Sequence, residues 1–125
     1  MLQEHPALEI DAAHEPNAYV SNGPLQIRSE RWPSAYVVSV SGELDFATSG
    51  CFDEELQKAR RTDAPRIILD LCALQFIDSA GLRVLVQAEI ASREESQGLF
   101  LTRGAHQVER MLEITGVRKK FRFLD

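Results

Sequence analysis

The sequence has little material for covalent or metal staples. It contains two cysteines, Cys51 and Cys72, far apart and outside any Cys-x-x-Cys pair. That pattern argues against a disulfide framework or half a zinc site and predicts two free, mostly buried thiols. The histidines make no metal cluster either: His5 and His14 stand near the start, and His106 is alone in the patterned region. Long hydrophobic runs are also missing. No apolar stretch approaches the roughly 20 residues of a membrane span, and the opening Met1-Leu2-Gln3-Glu4-His5-Pro6 lacks the basic and apolar regions of a secretory signal. A cytoplasmic protein with no membrane partner is expected. Glycine-rich phosphate loops are absent, with no G-x-x-x-x-G-K-[ST] and no G-x-G-x-x-G after a strand, so no cofactor is expected.

A basic surplus is lacking as well. The net charge is −5, and residues 1–22 hold Glu4, Glu9, Asp11 and Glu15 with no Lys or Arg. With those acids set aside, the remaining acids nearly match the 14 Lys and Arg. A nucleic-acid binder would show a basic face, and none is expected here. The local run Arg118, Lys119, Lys120, Arg122 reads as a solvated edge. Residues 1–22, punctuated by Pro6 and Pro16 and without a sustained period, read as a flexible acidic tail with a short edge element near Tyr19-Val20. Residues 23–125 form the domain.

What is present is an alternation of strand and helix patterns. Leu25 to Glu30 alternates apolar and polar, and Ala35 to Ser41 sets Tyr36, Val38 and Val40 against Val37, Ser39 and Ser41. These predict an antiparallel hairpin. Capping residues at Asp45–Ser49 precede a stripe of Phe52, Leu56 and Ala59 at helical spacing. Arg66–Leu71 is apolar enough to be a strand buried on both faces. A second helix opens at Ser79 and runs to about Ser96, with Leu82, Val86, Ile90 and Leu85 inward. A strand at Leu99–Leu101 follows, and then a third helix with Val108, Met111, Leu112 and Thr115 inward. That helix ends on Gly116 as a left-handed residue, before a last strand at Phe121–Leu124. Right-handed crossovers make the later strands parallel. The predicted fold is α/β: a small mixed sheet, antiparallel at its N-terminal hairpin and parallel after it, with helices packed on it.

The chain is organised around Phe76-Ile77-Asp78-Ser79-Ala80-Gly81-Leu82, at the junction of strand and helix. Ser79 is read as the N-cap of the second helix. Ala80 and Gly81 leave little bulk around its hydroxyl, and a hydroxyl at the positive end of a helix is well placed to carry a phosphate. At this point a mere cap and a phosphate carrier both stand. Catalysis is not expected. A hydrolase elbow needs glycine two residues before its nucleophile, where Ile77 stands, and no base or oxyanion hole can be assembled from the sequence.

Three elements occur in order: Ser41-Gly42-Glu43-Leu44-Asp45, Phe76-Ile77-Asp78-Ser79-Ala80-Gly81-Leu82 and Leu112-Glu113-Ile114-Thr115-Gly116-Val117. Together they resemble the STAS family, the anti-sigma factor antagonists, over roughly residues 24–125. The resemblance implies partner switching. The unphosphorylated protein binds an anti-sigma factor that is also a serine kinase and so frees a sigma factor. The kinase phosphorylates Ser79, the complex dissociates, and a serine phosphatase resets the switch. It also implies that Asp45 and Asp78 line the surface around Ser79, together with Ala80 and Gly81. Many relatives carry a second serine where Ala80 stands, which leaves Ser79 as the one candidate hydroxyl. The family includes structural modules of stress-sensing scaffolds and lipid-transport complexes, so an unmodified scaffold subunit is the alternative. The outer flank of the second helix is predicted to continue the partner surface, with Arg83 and Gln87 polar and Val84 and Ala88 apolar.

Overall fold

The period-2 patterns become strands with one buried face. In the computed structural model, which describes residues 18–124, β1 (Ala18–Asn22), β2 (Leu25–Trp32) and β3 (Ala35–Leu44) precede helix α1 (Ser49–Arg60). β4 (Arg66–Ile77), α2 (Ser79–Glu94), β5 (Gly98–Leu101), α3 (His106–Ile114) and the short β6 (Arg122–Phe123) follow. The strands form one six-stranded sheet in sequence order. β1–β2 and β2–β3 are antiparallel, and β3–β4, β4–β5 and β5–β6 are parallel. The predicted hairpin is therefore present, turning at Pro33–Ser34 with Trp32 opposite Ala35. Among the described residues no helix is long and apolar enough to cross a membrane.

The core lies between the helices and one sheet face. Leu25 and Ile27, Val38 and Val40, Ile67, Leu69 and Leu71, and Leu99 and Leu101 are buried with Phe52, Leu56, Leu85, Val108 and Leu112 in one cluster. The intervening Gln26 and Arg28 are exposed, and Ile68, Asp70 and Phe100 are half-buried. β4 is accordingly buried on one face, not on both as its apolar run suggested. Its second half, Cys72–Ile77, continues the strand beyond the predicted end at Leu71 and carries the chain to Ser79.

Several expectations shift at the edges. Ala18–Asn22, assigned to the tail apart from a short edge element, pairs along its length with β2. The rest of the tail lies outside the described residues. Both cysteines are free, but Cys72 is exposed and Cys51 half-buried, because Cys72 falls on the uncovered stretch of β4. α2 stops at Glu94, and Ser96 takes the left-handed conformation (φ 58°). Gly116 is left-handed as its position predicts (φ 77°), whereas Thr115 is exposed.

Candidate functional site

The site is built where β3 and β4 end side by side. Gly42 makes that ending possible: its φ is +93°, and a Cβ there would stand 1.9 Å from the Pro24 carbonyl oxygen. The β3–β4 register slips between Gly42 and Glu43. Beyond the slip Glu43 pairs with Phe76 and Leu44 with Ile77, and the Asp78 N–H donates to the Leu44 carbonyl at 3.2 Å. Asp78 is thus the last extended residue (φ −114°, ψ −171°) and the first to reach over the helix.

Two aspartates then tie the loops together. Asp78 Oδ1 accepts from the backbone N–H of Ala80 at 2.9 Å and of Gly81 at 3.1 Å, while its Oδ2 accepts from the N–H of Phe46 at 3.0 Å. One carboxylate caps α2 and pins the β3–α1 loop. Asp45 braces the loop that leads into α1, whose N-cap Thr48 makes no side-chain cap bond of its own. Asp45 Oδ1 accepts from the N–H of Ala47 at 3.0 Å and of Thr48 at 3.1 Å, and the buried Thr48 Oγ1 accepts from the Asp45 N–H at 2.9 Å. On the far side of β4, Gln107 of α3 makes a reciprocal pair with the Ile77 backbone: the Ile77 N–H donates to Oε1 at 2.9 Å, and Nε2 donates to the Ile77 carbonyl at 3.0 Å.

Ser79 is therefore not the cap. It is the first residue of α2, exposed, and its hydroxyl has no hydrogen-bond partner among the described residues. The helix does not depend on this hydroxyl, because the Asp78 carboxylate holds its first amides. Asp78→Ala should cost about 1–2 kcal/mol of stability through loss of the cap. Ser79→Ala should stay within about 0.5 kcal/mol of the parent. Urea denaturation of the two variants checks the assignment. A larger loss for Ser79→Ala than for Asp78→Ala would return the cap to Ser79.

The chain matches the STAS domain over residues 26–125. It belongs to the STAS family. This STAS domain is 31% identical over 96 residues to the anti-sigma F factor antagonist of Paenibacillus polymyxa, with 76% of this chain and 82% of that protein covered. It is 29% identical over 94 residues to an anti-sigma-B factor antagonist of Staphylococcus aureus, with 75% and 87% covered. The crystal structure of an anti-sigma factor antagonist from Mycobacterium paratuberculosis shares the fold with a TM-score of 0.70 at 26% identity, covering 83% of this chain and 89% of that one.

The predicted site residues of the STAS domain divide in two. Asp45, Asp78, Ser79 and Ala80 gather at the paired strand ends, and Arg83 and Gln87 continue along an exposed stripe of α2 that also includes Ile90. Gly81 and Val84 do not belong to the surface. Gly81 is buried, and a Cβ on it would stand 2.8 Å from both Ile77 Cγ1 and Leu44 Cγ, so it lets the helix sit on the strand ends. Val84 (7% exposed) and Ala88 (5%) are in the core, and Ile90 (52%), predicted inward, faces out. Sequence reasoning missed Phe46. Its N–H is held by Asp78 while the residue is 84% exposed. The available signal was its spacing, since it falls off the Phe52/Leu56/Ala59 stripe. Gln107 gave no such signal, because its partner lies 30 residues away.

Proposed function

We propose that this STAS domain is an anti-sigma factor antagonist switched by phosphorylation of Ser79. The observation that carries the reading is the spare hydroxyl: Ser79 is exposed at the start of α2 while Asp78 holds the helix amides. The similarity to named anti-sigma factor antagonists supports it. In the unmodified form the surface around Ser79, with Asp45, Asp78, Ala80, Arg83 and Gln87, binds an anti-sigma factor that is also a serine kinase, and a sigma factor is released. The kinase binds ATP as the phosphoryl donor. The Ser79 oxygen attacks the γ-phosphorus, the bond from that phosphorus to the β–γ bridging oxygen breaks, ADP leaves, and the hydroxyl proton passes to a base of the kinase. A serine phosphatase hydrolyses the ester to restore Ser79 and inorganic phosphate.

The test is incubation with the cognate kinase and ATP, followed by mass spectrometry. Phosphate located on Ser79, and absent from Ser79→Ala, is the expected result. Phosphate elsewhere, or none, would favour an unmodified scaffold subunit.

Phe46 supplies the apolar anchor of the same surface. A phenylalanine this exposed beside two anchored carboxylates has nothing to lose in the free protein and apolar area to bury in the complex. Phe46→Ala should leave the melting temperature unchanged and weaken partner binding about tenfold or more, as the loss of an anchor worth about 1.4 kcal/mol requires. Unchanged affinity in a surface-capture assay would remove Phe46 from the interface.

A further inference from the structure

A phosphate on Ser79 would arrive beside amides that carboxylates already hold, with the Ser79 N–H the one first-turn donor of α2 that lacks a partner among the described residues. Asp78 Oδ1 holds the amides of Ala80 and Gly81, and Asp45 Oδ1 holds those of Ala47 and Thr48. The dipole at the start of α2 is thus met by a carboxylate before any phosphate is added, and the neighbourhood already holds two negative groups. One backbone amide cannot balance a dianion there, so a cationic side chain is the group to look for.

α2 carries two cations, Arg83 and Arg93. Arg93 is bonded to Glu89 on its own helix. The arginines Arg31, Arg60, Arg103 and Arg118 are also engaged by acids, Asp63, Glu95, Glu109 and Glu109 respectively. Arg83 is different. It is exposed and has no ion pair or hydrogen bond among the described residues. It also sits in the second turn of its helix, the end where the dipole disfavours a cation.

Its spacing from Ser79 supplies the reason. Residues i and i+4 of a helix lie on one face with Cβ atoms about 5–6 Å apart. Helical side chains lean toward the N-terminus, so the long Arg83 chain can reach back toward Ser79. An anion placed N-terminal to its cation at this spacing is the favourable order.

We propose that Arg83 is the internal counter-ion of phosphorylated Ser79. The pairing rests on the reading of Ser79 as the modified residue, and it deepens that reading. In the unmodified protein the guanidinium is free to meet the partner. Once the phosphate is present, the same group is drawn onto it. Phosphorylation therefore adds a charge to the surface and withdraws a contact from it in one step. The guanidinium's planar fork suits a phosphate, which it can hold with two parallel hydrogen bonds.

The experiment uses full-length protein with phosphoserine installed at position 79 during synthesis, so that no kinase is needed. The second ionisation of the phosphate, near pH 6 in an unperturbed phosphoserine, is followed by phosphorus NMR. Arg83 favours the dianion, so its removal must raise the ionisation pH. Arg83→Gln is expected to shift the midpoint up by about 0.2–0.4 unit at low salt, and the difference should shrink at high salt. Arg93→Gln is expected to leave the curve in place. Coincident curves for the parent and Arg83→Gln would overturn the pairing, and so would an equal shift from Arg93→Gln, which would mark a diffuse field. A kinase that leaves Ser79 unmodified would overturn the proposed function but not this pairing, because the phosphate here does not come from a kinase.

Discussion

Ser79→Asp, and protein phosphorylated on Ser79, should melt like the parent and bind the anti-sigma partner at least a hundredfold more weakly. Two different balances give the two halves of that result. In the free protein the added group stands in water at the first residue of α2, where no backbone bond depends on the Ser79 side chain. Its repulsion by Asp78 and Asp45 is softened by solvent and by the helix dipole, each contribution being on the order of 1 kcal/mol or less. At the interface the phosphate brings about −1.5 to −2 charges to a surface that already presents two carboxylates and must lose its water there. Even paired with Arg83 the dianion keeps excess negative charge to desolvate, at several kcal/mol, and about 2.8 kcal/mol already corresponds to a hundredfold in affinity. Ser79→Ala should bind like the unmodified protein under all conditions, since it removes no fold contact and cannot be phosphorylated. Surface-capture titration against the partner, with calorimetric melting of the same preparations, separates the two halves. Parent-like binding by Ser79→Asp would put the switch on another residue.

Val84→Glu should be among the most damaging single changes in α2. Val84 is 7% exposed and belongs to the core cluster beside Leu82 and Leu85. A carboxylate placed there must lose its hydration with no designed cation facing it. Unpaired burial of this kind costs about 3 kcal/mol or more, a large share of the roughly 5–15 kcal/mol that keeps a domain folded. One helical position earlier, Arg83→Glu should stay within about 0.5 kcal/mol because Arg83 is exposed. Urea midpoints of the two variants, one residue apart, report the phase of the helix directly. A Val84→Glu protein as stable as the parent would return Val84 to the outer flank.

That phase was the part of the fold least legible from the pattern. α2 carries Leu82, Val84, Leu85, Val86 and Ile90, apolar residues on nearly every side, so more than one stripe fits the helical period. The buried arc is settled by what packs on it: α1 lies on one side and β4 and β5 beneath. That arc includes Glu89 and Ser92, polar residues that no hydrophobic pattern marks as inward. Glu89 is buried with its carboxylate bonded to Arg93, and Ser92 Oγ donates to the Glu89 carbonyl at 2.9 Å.

The hairpin and the parallel order were legible because period 2 in β2 and β3 admits one inward set and the helical segments between the later strands enforce crossovers. Asp78 and Ser79 show the limit at the site. Both are good capping residues, and sequence alone does not choose between them. The choice is made by strand length. β4 runs to Ile77, and the bond from the Asp78 N–H to the Leu44 carbonyl keeps Asp78 extended, which leaves Ser79 inside the helix. That bond depends in turn on the register slip at Gly42, a long-range feature with only a glycine to announce it.

Under the proposed function the Ser79 hydroxyl is spare for folding and decisive for binding. Isothermal titration of stoichiometrically phosphorylated protein against the cognate anti-sigma kinase tests this most directly, with the unphosphorylated protein titrated alongside and both melted in the same buffer. The expected result is a dissociation constant at least a hundredfold weaker after phosphorylation, with coincident melting curves. Equal dissociation constants for the two forms would contradict it, as would a loss of affinity matched by a comparable loss of folding stability.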